Sequence, residues 1–195
     1  AWQLIGQVER MNAIPDYLGI ASDDRDATFQ MINKAFEKND VVLLTGGVSM
    51  GDYDFVPGIL EECGLEILFK SIAVQPGRPT LFGKKENKFC FGLPGNPVSS
   101  FVQFELLVKP LLFGIMGYDY KPVPVKMPMG VEFSRKKTSR MKWLPVFINE
   151  QGEVLPAEYH GSAHIHSLTE AHGMIAAAIG QSVIRKGEMV YVRQI

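Results

Sequence analysis

The chain has 195 residues, 46% of them hydrophobic, with a formal net charge of −1. That length holds one large or two small domains. A charge so close to zero gives no global attraction to nucleic acid or to an anionic membrane surface.

In chain order, Trp2 to Met11 reads as a helix that starts at once, with no cap and no preceding strand. Residues 13–20 read as a short strand, with Pro15 near its start, where a missing N–H is tolerated. Ser22, Asp23 and Asp24 supply N-cap candidates for a helix over about Arg25 to Lys38. Its apolar positions Phe29, Ile32, Ala35 and Phe36 make a single core-facing stripe. Asp23, Asp24 and Asp26 suit the positive end of that helix, a simpler account than a metal cluster. Val41 to Leu44 is a β-branched, apolar run, expected to be a strand buried on both faces of a parallel sheet. Phe55 to Glu62 restarts as a short helix, and Leu65 to Val74 reads as the next strand. Leu81 to Gly83 and Lys88 to Phe91 pair as a hairpin around the polar tip Lys84 to Asn87. Pro97 then opens a helix, with Asn96 as its N-cap, that runs to about Lys109. Strands alternating with helices predict an α/β layer with its loops gathered at one edge.

Beyond that helix, Pro122, Pro124 and Pro128 make residues 119–128 read as an extended linker. The charge balance changes sign there: residues 1–120 carry 10 Lys and Arg against 15 Asp and Glu, and residues 121–195 carry 10 against 6. Short β-like runs follow at Val131 to Phe133, Trp143 to Ile148, Val154 to Leu155, Met174 to Ile179 and Met189 to Val192. Turns such as Gln151-Gly152 and Lys186-Gly187 separate them, which predicts a small all-β domain, barrel or sandwich. Cys63 and Cys90, the only cysteines, lie in apolar contexts and read as buried hydrophobes in a reducing compartment. No apolar run approaches membrane-spanning length and no signal peptide opens the chain, so no membrane span and a cytoplasmic location are expected.

Three loops could carry chemistry. The first, Thr45-Gly46-Gly47-Val48-Ser49-Met50-Gly51-Asp52-Tyr53-Asp54, joins the Val41 strand to the Phe55 helix. Strand, glycine-rich loop and helix set N–H groups and a positive helix end at the carboxyl edge of a sheet, where anions bind. Asp52 and Asp54 would repel a phosphate there unless a cation bridges them or they act as a base; the bland alternative is an ordinary turn with solvated aspartates. Neither a P-loop nor a dinucleotide fingerprint is present, which leaves an anion site of unstated identity. The second loop, Gln75-Pro76-Gly77-Arg78-Pro79, is a rigid turn that can hold one cation in place. The third runs from Gly92 through Pro94, Gly95 and Asn96 into Pro97.

These three stretches, in this order and spacing, resemble the molybdopterin molybdenumtransferase family (MoeA and the gephyrin E domain). The first loop resembles the family signature; the others resemble its Lys-Pro-Gly-Lys-Pro turn and its Gly-Leu-Pro-Gly-Asn-Pro-Val-Ser loop. The likeness runs over essentially the whole chain and is weaker in the last third. It implies an α/β, three-layer MoaB/MogA-like molybdopterin-binding domain over 1–118, truncated at its start, and a small barrel-like β domain over 119–195. Family members carry further N-terminal domains, so the sequence is expected to be the later portion of a longer protein.

The implied activity is insertion of molybdate into adenylyl-molybdopterin with release of AMP, assisted by Mg2+ or another divalent cation. Asp54 matches the family's essential carboxylate, for metal binding or acid/base work. By the same resemblance Thr45, Gly46, Gly47, Ser49, Gly51, Asp52, Gly77, Pro94, Gly95 and Asn96 bind nucleotide and pterin, and Arg78, Arg140 and Ser162 bind molybdate. Gln75 stands where the family has a first Lys, and Pro145 where it has an Arg. A homodimer with small-molecule substrates and no nucleic acid is expected. Two rivals remain: a gephyrin-like scaffold that holds peptides without catalysis, and a MogA/MoaB-type adenylyltransferase.

Two clusters in the last third have plain readings. Arg135, Lys136, Lys137, Arg140 and Lys142 lack interleaved aromatics and read as a solvated hairpin tip rather than a nucleic-acid contact. His160, His164, His166 and His172 could place two imidazoles on one face of an extended segment, but no carboxylate or Cys completes a metal set. The family usually has Asp where His172 stands.

Overall fold

The computed structural model describes residues 1–47, 55–123, 125–157, 168–169 and 171–195. Five α-helices and twelve strands are described: α1 (Trp2–Arg10), α2 (Arg25–Lys38), β1 (Val41–Thr45), α3 (Val56–Glu62), β2 (Glu66–Phe69), β3 (Val74–Gln75), β4 (Leu81–Lys85) and β5 (Lys88–Leu93), followed by α4 (Pro97–Gln103), α5 (Lys109–Ile115), β6 (Val125–Pro128), β7 (Phe133–Ser134), β8 (Met141–Ile148), β9 (Val154–Pro156), β10 (Gly173–Ala177), β11 (Val183–Ile184) and β12 (Met189–Gln194).

The first sheet has the order β1-β5-β4-β2. β1 runs parallel to β5, and β4 runs antiparallel to both β5 and β2. Helices cover both faces. On one, Ile32, Ala35 and Phe36 of α2 and Ile59 and Leu60 of α3 pack with Val42, Leu81 and Cys90. On the other, Leu4 of α1 and Phe104, Val108 and Leu112 pack with Phe91 and Leu93. Alternation along β1 explains the split, since Val42 and Leu44 face the first group and Val41 and Leu43 the second.

Most of the expected local elements are present. Asp24 caps α2 by accepting from the Ala27 N–H at 2.7 Å. The hairpin closes with Lys85 opposite Lys88, and Glu86 at φ +54° supplies the left-handed turn residue.

Several expectations are corrected. Residues 13–20 form no strand; Ile14 and Ile20 lie 95% and 88% exposed, and no strand among the described residues pairs with them. β1 is an edge strand, so only Val42 is fully buried, although helices lie over both of its faces. The run from Leu65 to Val74 is two strands, and they belong to different sheets: β2 pairs β4, whereas β3 pairs β8. β6 occupies the expected linker, and Pro128 is tolerated because β6 is an edge strand.

The helix from Pro97 does not stop near Lys109. A π turn over Phe104–Val108 joins α4 to α5, giving one 19-residue helix, Pro97–Ile115. Pro110 has no N–H to donate into the preceding turn, and the wide π turn accommodates the lost bond. By length and composition this helix could cross a membrane, contrary to the expectation from sequence, but 61% of it is buried within the protein. Phe104 and Val108 face the first sheet, while Val98 and Val102 meet Met174 and Trp143 of the second. An element packed between two sheets is apolar nearly all round.

The second sheet has the order β3-β8-β10-β12-β6, with β9 on β8; β7 and β11 form a separate pair. Met129, Leu144, Val146, Val154, Ile175, Ile184 and Val192 fill its core.

Candidate functional site

The parallel pair places two loops side by side. β1 and β5 are in register from Val41 opposite Phe89 to Thr45 opposite Leu93. Beyond them the Gly46 N–H donates to the Leu93 carbonyl at 3.1 Å, and a Cβ on Gly95 would lie 3.6 Å from the Gly46 Cα. Gly46 and Gly47 hold φ of +79° and +64°, a region that favours glycine. Pro94 is buried, whereas Thr45, Gly47, Gly95 and Asn96 are exposed. Asn96 stands at the N-cap with extended backbone, and its carbonyl accepts the Ser100 N–H at 3.0 Å. Exposed loop backbone and the start of a 19-residue helix thus meet at the carboxyl edge of the parallel strands, an arrangement suited to a phosphate.

A second group forms where β3 meets β8. Val74 and Gln75 pair in parallel with Met141 and Lys142, and the Met141 N–H donates to the Ala73 carbonyl at 2.9 Å. Arg78 and Arg140 are brought to one cleft of about 390 Å³, lined also by Ser71, Ile72, Ala73 and Ser139. Among the described residues neither guanidinium has a carboxylate within ion-pair distance. Two unpaired guanidiniums with two serines suit a small tetrahedral oxyanion.

The turn carrying Arg78 is held firmly. Gln103 Nε2 donates to the Pro76 carbonyl at 2.7 Å, Thr80 Oγ1 donates to the Gly77 carbonyl at 2.8 Å, and the Ile72 N–H donates to the Arg78 carbonyl at 3.0 Å. Gln103 ends α4 and Asn96 precedes it, so this turn and the loop at 94–96 are separated by about 10 Å of helix. Sequence reasoning passed over Gln103 and Thr80. The available signal was a Gln set between Val102 and Phe104, which marks a polar side chain in a core helix but not its partner.

Ser49, Gly51, Asp52, Asp54 and Ser162 lie outside the described residues, as do His160, His164 and His166. Among the described residues no three His, Cys, Asp or Glu side chains gather as a metal site; Asp54, the expected metal ligand, is not one of them.

The basic run is only in part a solvated tip: Lys136 and Lys137 are exposed, whereas Arg135, Arg140 and Lys142 are half-buried. Arg135 donates to the carbonyls of Gln181, Arg140, Ala177 and Ala178, which fastens β7 to the loop after β10. Lys142 lies over the Phe133 ring, 5.2 Å from its centre; burial first, and then Arg135, push its ammonium below the usual lysine range. His172 Nδ1 accepts the Ile148 N–H at 3.0 Å, a structural bond. Cys63 and Cys90 are buried free thiols. Burial raises both, with Cys63 adding to the effect on Cys90, which is pushed up to about 12.

Comparison with known proteins decides the family. The profile of the probable molybdopterin binding domain matches residues 2–114. The chain belongs to that family. It is 30% identical over 195 residues to the molybdopterin molybdenumtransferase of Bacillus subtilis (strain 168), covering 98% of the chain and 45% of that protein. The molybdopterin molybdenumtransferase of Staphylococcus aureus (strain Mu50) is 31% identical over 171 residues, covering 86% of the chain and 41% of the relative. The chain thus spans less than half the length of these two relatives. Among solved structures, a molybdopterin biosynthesis MoeA protein from Pyrococcus horikosii superposes with a TM-score of 0.82 at 30% identity, over 98% of this chain and 46% of the other. A molybdenum cofactor biosynthesis protein from Pyrococcus furiosus gives 0.80 at 26% identity, over 100% of this chain and 63% of the other. The resemblance read from the three loops is therefore shown.

Proposed function

We propose that this chain carries the insertion site of a molybdopterin molybdenumtransferase, which loads molybdate into adenylyl-molybdopterin and releases AMP. The observation that carries the reading is the cleft where Arg78 and Arg140 meet. Both side chains were singled out for molybdate while lying 62 residues apart in the sequence (140 − 78). The glycine loop and the loop at 94–96, joined at the edge of β1 and β5, add a second anion site for the phosphates.

The division of labour follows. N–H groups about Gly47, Gly95 and Asn96, with the Thr45 hydroxyl, hold the phosphates of the adenylylated pterin; Gly46, its own N–H held by the Leu93 carbonyl, and Pro94 shape the loops around them. Arg78 and Arg140 hold the molybdate dianion, and Gly77 lets the turn present Arg78. Resemblance alone assigns Ser49, Gly51 and Asp52 to the substrate and Ser162 to molybdate. Cleavage of the phosphoanhydride places charge on the departing AMP, which the helix-start N–H groups stabilise. Asp54 serves acid/base work and divalent-metal binding. The reading further assigns residues 1–118 to a MoaB/MogA-like domain and 119–195 to a barrel-like β domain, in a homodimeric, cytoplasmic, magnesium-dependent enzyme.

A second reading, a peptide-holding scaffold of the gephyrin kind, is supported by an apolar groove of about 340 Å³ that includes Val123, Trp143, Ile184 and Tyr191. The second sheet after residue 120 counts against a single-domain adenylyltransferase.

Calorimetry of AMP with and without molybdate, at several magnesium concentrations, tests the enzyme reading. Molybdate should tighten AMP binding in the native chain. Arg78→Ala should weaken molybdate binding by about 1.5–3 kcal/mol, the scale of a charge-assisted hydrogen bond. Asp54→Ala should abolish the magnesium response. Binding of neither AMP nor molybdate overturns the proposal for this chain.

A further inference from the structure

The oxyanion cleft depends on a turn with little regular structure of its own. Gln75 ends β3, and Thr80 precedes β4, so the intervening backbone needs outside support. Thr80, itself buried, holds the Gly77 carbonyl. Gln103 supplies the long-range contact, from a helix 27 residues away in sequence.

Its fit against the turn is close. Gln103 is fully buried, and its Nε2 donates to the Pro76 carbonyl at 2.7 Å. Gly77 sits at φ +102°, and a Cβ there would lie 2.4 Å from Gln103 Nε2, 2.8 Å from Cγ and 2.9 Å from Cδ. The amide therefore occupies the space that any other residue at 77 would fill. Gln103 Oε1, in contrast, is buried with no partner among the described residues. An orphaned buried oxygen is unfavourable, and a methionine would fill the same volume without it. Packing alone does not call for glutamine here; the bond to Pro76 does.

We infer that Gln103 is the positioning residue of the oxyanion cleft: its amide fixes the Pro76–Gly77 backbone and so sets where Arg78 stands opposite Arg140. The inference rests on the oxyanion reading of that cleft. Gln103 acts through the turn and not by touching the anion. Preorganising the turn lowers the ordering cost of binding, so the effect belongs in affinity rather than in global stability.

Two substitutions test it. Gln103→Met removes the orphaned Oε1 but strands the Pro76 carbonyl in its place. It should therefore melt close to the native chain yet bind molybdate about tenfold more weakly, the equivalent of one hydrogen bond. Exchange of the Ile72 amide, whose acceptor is the Arg78 carbonyl, should speed up about tenfold by NMR, because local opening sets its rate. Gln103→Glu keeps the shape and adds a switch. Its buried carboxyl, raised by desolvation, donates to Pro76 when protonated and repels that carbonyl when ionised. Molybdate affinity of Gln103→Glu relative to the native chain should therefore recover as pH falls from about 8 to about 6. Unchanged affinity and unchanged Ile72 exchange in Gln103→Met overturn the inference. Where Gln103→Met does not fold, a flat pH profile for Gln103→Glu overturns it instead. Molybdate binding that survives Arg78→Ala overturns the reading of the cleft itself, whatever Gln103 does.

Discussion

At the scale of single residues, the structure separates glycines that matter for space from those that matter for backbone. A Cβ on Gly46 would meet no described residue within 4 Å, so glycine is favoured there by its positive φ and not by want of space. Gly83 is the reverse: a Cβ there would lie 2.6 Å from Leu65 Cδ2 and 2.8 Å from the Glu66 carbonyl. Backbone cannot yield as a side chain can, so Gly83→Ala should destabilise the chain by about 1–3 kcal/mol in urea titration. The two thiols give another test. Cys90 is fully buried and its thiol is pushed up to about 12, and Cys63 is raised as well. At neutral pH neither should react with an aromatic disulfide reagent in the native chain, and both should react once it is unfolded. The cysteines were legible because apolar context alone predicts burial. Gln103 was not, because nothing local announces a partner 27 residues away.

At the scale of elements, periodicity served well wherever one face meets one core. α2 shows this with its Asp24 cap and its stripe of Ile32, Ala35 and Phe36. The helix Pro97–Ile115 shows the limit. It packs on two sheets at once, and it runs on past Lys109 because the π turn absorbs the bond lost where Pro110 lacks an N–H. Two of its polar residues, Glu105 and Lys109, belong to a buried network. Gln7 of α1 donates to Glu105, Lys109 pairs with Glu105 at 2.9 Å, and Arg193 of β12 donates to the Glu105 carbonyl. Lys109 and Arg193 also stack over the Tyr120 ring. Removing one charge strands the other, so Glu105→Leu should cost about 3–5 kcal/mol. Exchanging both, Glu105→Leu with Lys109→Met, should recover most of that loss in the same denaturation assay. Failure of the double variant to recover would mean that the Gln7 bond, and not the ion pair, dominates.

At the scale of the whole molecule, the alternation of strands and helices and the β-rich final third were readable because each follows from local pattern. Which sheet a strand joins was not readable. The run from Leu65 to Val74 reads as one strand with the polar pair Lys70 and Ser71 within it, yet it divides between two sheets, since sequence periodicity reports faces and not neighbours. The candidate site shares this history: the loops were visible in their glycines and prolines, while the meeting of Arg78 with Arg140 needed the β3–β8 pairing. That pairing has a larger consequence. The chain leaves the first sheet after Phe69, lends two residues to the second, and returns at Leu81. The two sheets are laced rather than strung in series, so a cut near residue 118 severs no simple hinge. It takes a border strand from one part and strips the backing from a lending strand in the other, with Arg78 on the lace itself. A slight rocking of one sheet against the other would be felt first at that arginine.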